Sequence, residues 1–155
     1  MNSFRALEDS DLEVLFRWLQ EPHVKEWWDD GDDTIERVIA HYTGDTDTVS
    51  RYILQSDAGD PLGYFQFYLE QDNVIGIDQF IGECSLLNMG IGTAAVKEFV
   101  KMIVNNRNPK AIIVDPAPAN RRAIRCYEKA GFEFLKIEIG KDGDPAYIMK
   151  MDVNL

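Results

Sequence analysis

Asn88-Met89-Gly90-Ile91-Gly92-Thr93 and, further downstream, Asn120-Arg121-Arg122-Ala123-Ile124-Arg125-Cys126-Tyr127-Glu128-Lys129-Ala130-Gly131-Phe132 decide the reading of this 155-residue chain. In the first stretch two glycines precede a run with helical spacing. Glycine has no Cβ, so a turn built on Gly90 and Gly92 lets a ligand approach the backbone closely. The helix that follows directs N–H groups lacking intrahelical acceptors, and the positive end of its dipole, at that spot. Such a turn is suited to a pyrophosphate. The second stretch predicts a helix from Asn120 to Ala130 closed by Gly131. It carries Tyr127, a phenol able to handle a proton.

The elements around these two stretches predict a mixed α/β fold. Phe4-Arg5-Ala6-Leu7 reads as a short strand. Ser10-Asp11-Leu12-Glu13 has a capping-box pattern, after which Leu12, Leu15, Phe16 and Leu19 recur at helical spacing. Pro22 ends that helix or follows its end. A second helix is expected to begin near Asp33-Thr34 with Ile35, Val38 and Ile39 on one face. Tyr52–Leu54, Gly63–Leu69 and Val74–Phe80 then read as an antiparallel meander, with a turn at Asp57-Ala58-Gly59-Asp60-Pro61. The glycine turn opens a helix from about Ile91 to Val104, with Val96, Phe99, Val100 and Ile103 as its buried stripe. Ala111–Val114 is a short buried strand, so the helix is a parallel crossover from Val74–Phe80. Phe134–Ile139 and Ala146–Met151 form a last hairpin around Asp142-Gly143-Asp144.

Composition bounds the function. The length fits a single domain, residues 1–155, and 45% hydrophobic with 28% charged residues is ordinary for a soluble globular chain. No apolar run reaches membrane-spanning length, and Met1–Leu15 lacks the basic-then-apolar layout of a signal peptide, so a cytoplasmic protein is expected. A net charge of -11 argues against nucleic acid or anionic membrane as a partner, and is compatible with a small cationic substrate. Cys84 and Cys126 lack a CxxC spacing and read as two thiols. His23 and His41 look too isolated for a metal site, so no metal is expected. The surface pattern is equally compatible with a monomer and a homodimer.

Gly90-Ile91-Gly92-Thr93-Ala94-Ala95 also fits G-x-G-x-x-A, the dinucleotide fingerprint, with Asp115 near the position of the ribose-binding acid. That reading requires βαβ units on both sides of the glycines. An antiparallel meander precedes them instead.

Taken together, the two stretches resemble the GCN5-related N-acetyltransferase (GNAT) superfamily. The glycine turn is similar to its Q/R-x-x-G-x-G/A acetyl-CoA loop, with Leu87 in place of Gln or Arg. Asn120 to Phe132 is similar to its longer N-x-x-A-x-x-x-Y-x-K-x-G-F stretch. His23-Val24-Lys25-Glu26-Trp27-Trp28, Pro61-Leu62-Gly63-Tyr64, Gly76-Ile77-Asp78-Gln79 and Asp115-Pro116-x-Pro118-x-Asn120 resemble the aminoglycoside 6′-N-acetyltransferases within it. The resemblance runs from about Leu12 to Met151. It implies the GNAT fold, a mostly antiparallel twisted sheet with one parallel crossover and splayed strands that bind acetyl-CoA as co-substrate.

By position, the resemblance implies cofactor contacts at Asn88, Met89, Gly90, Ile91, Gly92, Thr93 and Asn120, with Tyr127 near the thioester sulfur as general acid. It implies acceptor contacts at Asp78 and Asp115. Asp78 receives the amine proton or holds the ammonium; an aspartate with a pKa of about 4 is a weak base unless burial raises it. Glu26, Trp27, Trp28, Tyr64 and Gln66 are further candidates for lining the acceptor cleft. Some family members carry a long acidic, Trp-containing insertion before G-I-D-Q. Here Glu70-Gln71-Asp72-Asn73 is a tight connection, which keeps a hydroxylysine-type siderophore precursor as an alternative acceptor. A non-catalytic acyl-CoA-binding module is the alternative from another class.

Overall fold

The computed structural model describes residues 1–153. Its elements are β1 (Ser3–Ala6), α1 (Leu12–Leu19), α2 (Pro22–Lys25), α3 (Ile35–Thr43), β2 (Val49–Gln55), β3 (Pro61–Leu69), β4 (Val74–Ile81), α4 (Ile91–Arg107), β5 (Ala111–Val114), α5 (Arg121–Ala130), β6 (Glu133–Ile139) and β7 (Pro145–Asp152). The strands form one sheet in the order β1-β2-β3-β4-β5-β7-β6. β4 and β5 are parallel, joined by α4 as the expected crossover, whereas β1–β2, β5–β7 and β6–β7 are antiparallel. Among the described residues no helix is long and apolar enough to cross a membrane.

The chain divides into two compact units, Met1–Phe67 with Gln79–Met89, and Tyr68–Asp78 with Gly90–Leu155. In the first unit α1 buries Leu12, Leu15, Trp18 and Leu19. They pack with Val24, Val38, Tyr42, Ile53, Tyr64 and Phe80 in one core. A fully buried leucine such as Leu15 contributes about 1.5–3 kcal/mol. Two details depart from the sequence reading. The reciprocal cap lies earlier than Ser10–Glu13: the Asp11 carboxylate accepts from the Glu8 amide at 2.8 Å, held there by Arg5 at 2.7 Å from each carboxylate oxygen. On α3 the buried face is Val38 and Tyr42, while Ile39 is 44% exposed. An aromatic one turn after Val38 fills the core, and Ile39 rotates outward. Thr34 caps α3, its hydroxyl accepting from the Arg37 amide at 3.2 Å.

In the second unit α4 buries Val96, Phe99, Val100 and Ile103 as expected, and runs on to Arg107 before Asn108 takes the left-handed cap at φ 45°. α5 starts at Arg121, with the Asn120 side chain accepting from the Ala123 amide at 3.3 Å as its N-cap. Gly131 closes it at φ 110°, a conformation that favours glycine. β6 and β7 form the final hairpin, turned where the Gly140 amide donates to Asp144 O at 2.9 Å.

Candidate active site

β4 pairs with β5 from Val74↔Ala111 to Gly76↔Ile113. Each strand then carries an aspartate two residues beyond that last pair, Asp78 on one and Asp115 at the end of the other. Because the strands are parallel, both carboxyls sit at the carboxyl-terminal end of the pair, where open α/β sheets take ligands. The two side chains come within hydrogen-bonding reach of each other. A hydrogen bond between two carboxyl groups requires one of them to carry a proton. Asp115 is exposed as a residue, yet desolvation where its carboxyl meets its neighbours raises it above the ordinary aspartate value, with Asp78 opposing the rise and Glu138 adding to it.

A residue that the sequence reading passed over stands beside this pair. Tyr68, near the end of β3, has its phenol raised well above the ordinary range, first by burial and then by the charges of Asp78, Asp115 and Glu70 and by Tyr127. It is therefore a neutral hydroxyl within electrostatic reach of all three expected catalytic and acceptor residues. Gly76 makes its position possible: a Cβ there would lie 2.4 Å from the Tyr68 ring. The signal in the sequence was the alternation Tyr64-Gln66-Tyr68, which continues past the two residues first singled out.

Tyr127 lies within α5, 5% exposed, and meets Phe132 edge-on at 5.6 Å between ring centroids. The Phe132 amide donates to Tyr127 O at 3.0 Å, so the Gly131 turn folds Phe132 back onto the helix end. At the start of α4, Asn88 and Gly90 both take left-handed backbone, φ 63° and 79°. Gly90 is the N-cap residue, and the first intrahelical bond runs from the Ala94 amide to Gly90 O at 3.1 Å. The helix offers no acceptor of its own to the amides of Ile91, Gly92 and Thr93. Met89 is exposed between the two left-handed residues. Thr93 hydrogen-bonds Cys126 of α5, whose thiol is raised by burial, and both cysteines are thiols rather than a disulfide. The second unit thus holds Asp78, Asp115, Tyr68, Tyr127, the α4 amides and Asn120. The Asn120 oxygen is engaged in capping.

The remaining candidates lie in the first unit. Tyr64 is fully buried, donating its hydroxyl to Gln66 Oε1 at 2.7 Å and packing its ring against Trp28, Tyr42 and Phe80. Trp28 is half-buried, its indole N–H donating to the Tyr42 hydroxyl at 3.1 Å. Trp27 is 43% exposed and Glu26 is exposed. Of the two adjacent tryptophans, one packs and one faces solvent, as their position past the end of α2 allows. The reading of His41 as isolated is corrected. Its Nδ1 lies 2.9 Å from Asp32 Oδ2, and Asp30, Asp32 and His41 bring potential ligand atoms within 4.8 Å of one another. Asp32 and His41 are separated by α3's first turns in sequence, a proximity that spacing alone does not reveal.

The acetyltransferase (GNAT) domain family matches residues 8–138, a span that runs through both units. The aminoglycoside N(6′)-acetyltransferase type 1 of Klebsiella pneumoniae is 34% identical over 165 residues, taking in 96% of this chain and 82% of that protein. A kanamycin resistance protein of Rhizobium radiobacter is 43% identical over 77 residues, 50% of this chain and 71% of its own length. The crystal structure of aminoglycoside acetyltransferase AAC(6′)-Ib with coenzyme A and kanamycin superposes with a TM-score of 0.90 at 35% identity, covering 98% of this chain and 95% of that one. The same enzyme with paromomycin and acetyl-CoA gives 0.90 at 36% identity, over 97% and 93%. Sequence, sheet order and glycine-opened crossover helix therefore agree: the chain belongs to the acetyltransferase (GNAT) family and is an acetyl-CoA-dependent N-acetyltransferase.

Proposed function

We propose that the chain transfers the acetyl group of acetyl-CoA to the 6′-amine of an aminoglycoside, in the cytoplasm. The observation that carries this reading is the carboxyl pair Asp78–Asp115 at the parting of the parallel strands, with Tyr68 and Tyr127 beside it. An aminoglycoside is a polycation, and two carboxyls suit an ammonium better than one. Support also comes from the aminoglycoside acetyltransferases that this chain matches over 82% and 95% of their lengths.

The chemistry assigns each group a task. The α4 amides of Ile91, Gly92 and Thr93 hold the pyrophosphate. Binding of the ammonium displaces the proton that the pair holds, after which Asp78 takes the proton that the ammonium loses, directly or through water, and Asp115 orients the amine. A backbone N–H of β4 around Asp78 to Phe80 polarises the thioester carbonyl. The neutral amine bonds to the carbonyl carbon, the C–S bond breaks as the Tyr127 hydroxyl protonates the departing thiolate, and the second proton shed by nitrogen on becoming an amide restores the Tyr127 hydroxyl through solvent. No residue of this scheme requires a metal.

The test is release of CoA thiol from acetyl-CoA with kanamycin-type aminoglycosides, polyamines and hydroxylysine as acceptors. Saturable turnover with an aminoglycoside, lost in Asp78→Asn, is expected. Silence with every aminoglycoside but turnover with hydroxylysine overturns the substrate in favour of a siderophore precursor, an acceptor that the short Glu70–Asn73 connection keeps in contention.

A further inference from the structure

β6 is the last strand of the sheet, and all seven of its residues are exposed. An open row of backbone N–H and C=O groups invites pairing, and edge strands are ordinarily blunted by shortness, charge or bulges; β6 carries a bulge near its start and charges of both signs, but it is not short. This one spans about 23 Å at roughly 3.3 Å per residue. It shows Phe134, Leu135, Ile137 and Ile139 at 52, 51, 48 and 64% exposure. Its pairing with β7 fixes the faces. Phe134 is opposite Met149 and Ile137 opposite Tyr147, so Phe134, Ile137 and Ile139 share one face, with a bulge between Phe134 and Lys136. Lys136 and Glu138 share the other, 3.5 Å apart and equally exposed.

We infer that β6 is a homodimer interface, in which a second copy of this chain pairs its own β6 antiparallel to this edge about a two-fold axis at Ile137. The charges select the partner and the register. Centred on Ile137, the pairing sets Lys136 of each copy opposite Glu138 of the other, Leu135 opposite Ile139, and Ile137 opposite itself. Sliding the axis by one residue sets Lys136 against Lys136 or Glu138 against Glu138, both unfavourable. A strand whose charges complement their own two-fold image is an isologous surface. The apolar stripes of the two copies then join into one band on the Tyr147 face. That face already forms one wall of a groove of about 810 Å³, the other wall being the Ile124 and Arg125 side of α5.

Sedimentation equilibrium of the full chain, from low to high micromolar concentration, is the first measurement, and a dimer of twice the 17.7 kDa chain is expected. Lys136→Glu and Glu138→Lys are each expected to weaken it about tenfold or more, since two cross-strand pairs turn repulsive at once. The double variant, with both charges exchanged, is expected to restore it. Ile137→Cys in a Cys84→Ser background reports the register directly, because only a pairing centred there brings the two thiols together as a disulfide. All three positions are solvent-facing, so circular dichroism is expected to show intact folding. A wild-type chain that stays monomeric throughout overturns the inference. So does a dimer that ignores both single charge changes, or one that the double variant fails to restore.

Discussion

Gly76→Ala probes the packing beneath the carboxyl pair. The added methyl would stand 2.4 Å from Tyr68 Cε2 and Cζ and 2.6 Å from its hydroxyl oxygen, so the ring has to move. Gly76 itself is pinned by its pairing with Ile113 of β5, which leaves little freedom on the strand side. Overpacking of this kind costs about 1–3 kcal/mol. At roughly 2–4 °C per kcal/mol for a chain of this size, Tm falls by about 2–12 °C. The displaced phenol is the one beside Asp78, Asp115 and Tyr127, so acetyl transfer falls as well. Thermal unfolding of the wild type, Gly76→Ala, Tyr68→Leu and the double variant separates steric from backbone effects. Removing the ring removes the clash, so the double variant is expected to be more stable than the sum of the two single losses by about 1–3 kcal/mol. Simple additivity would refute the contact as the reason for glycine at this position.

Other perturbations test the electrostatics. Burial holds the Asp115 carboxyl above the ordinary aspartate value of 3.8. Stability tied to its protonated form is therefore complete below that value and lost as pH rises through the raised one. Asp115→Asn is expected to melt above the wild type at neutral pH and to converge with it toward the aspartate range, while turnover drops; a lower Tm at neutral pH contradicts this. Asp11 runs the other way. Burial disfavours its charge, but the Arg5 hydrogen bonds, the Glu8 amide and the Arg5 charge outweigh that and lower its pKa. Its contribution is present above the ordinary value and lost as pH falls through the lowered one. Asp11→Asn is expected to cost about 1–3 kcal/mol at neutral pH, a deficit that shrinks in acid denaturation series. Tyr127→Phe keeps the ring against Phe132, so Tm is expected to hold while turnover falls about 10²-fold; an unchanged rate removes the tyrosine from the proton chemistry.

The elements that sequence reading placed correctly are those whose cause is local. Gly90 takes left-handed backbone and starts α4 because residues next to it in the chain demand that turn. Asn120 and Gly131 bound α5 for the same reason, through a side-chain cap and a left-handed closure a few residues apart. The α4 stripe followed from 3.6-residue spacing alone. Errors arose where neighbours in space decided. Ile39 and Tyr42 both fit an apolar stripe, and only the core under α3 selects Tyr42. Ser10–Glu13 has the capping pattern, but Arg5 from β1 draws Asp11 into the earlier cap.

From sequence alone came the family, the mixed α/β order, the crossover and the candidate pair Asp78 and Asp115, because turns, caps and periodicity are short-range and motifs are linear. Tertiary structure alone decided that the two aspartates come within reach of each other, since parallel pairing that ends at Gly76 and Ile113 carries both to one point. It also placed Tyr68 over Gly76, drew His41 to Asp32, and left β6 at the edge. That last outcome follows from β7 inserting between β5 and β6, a choice of strand order made by non-local hydrogen bonds that no window of sequence contains.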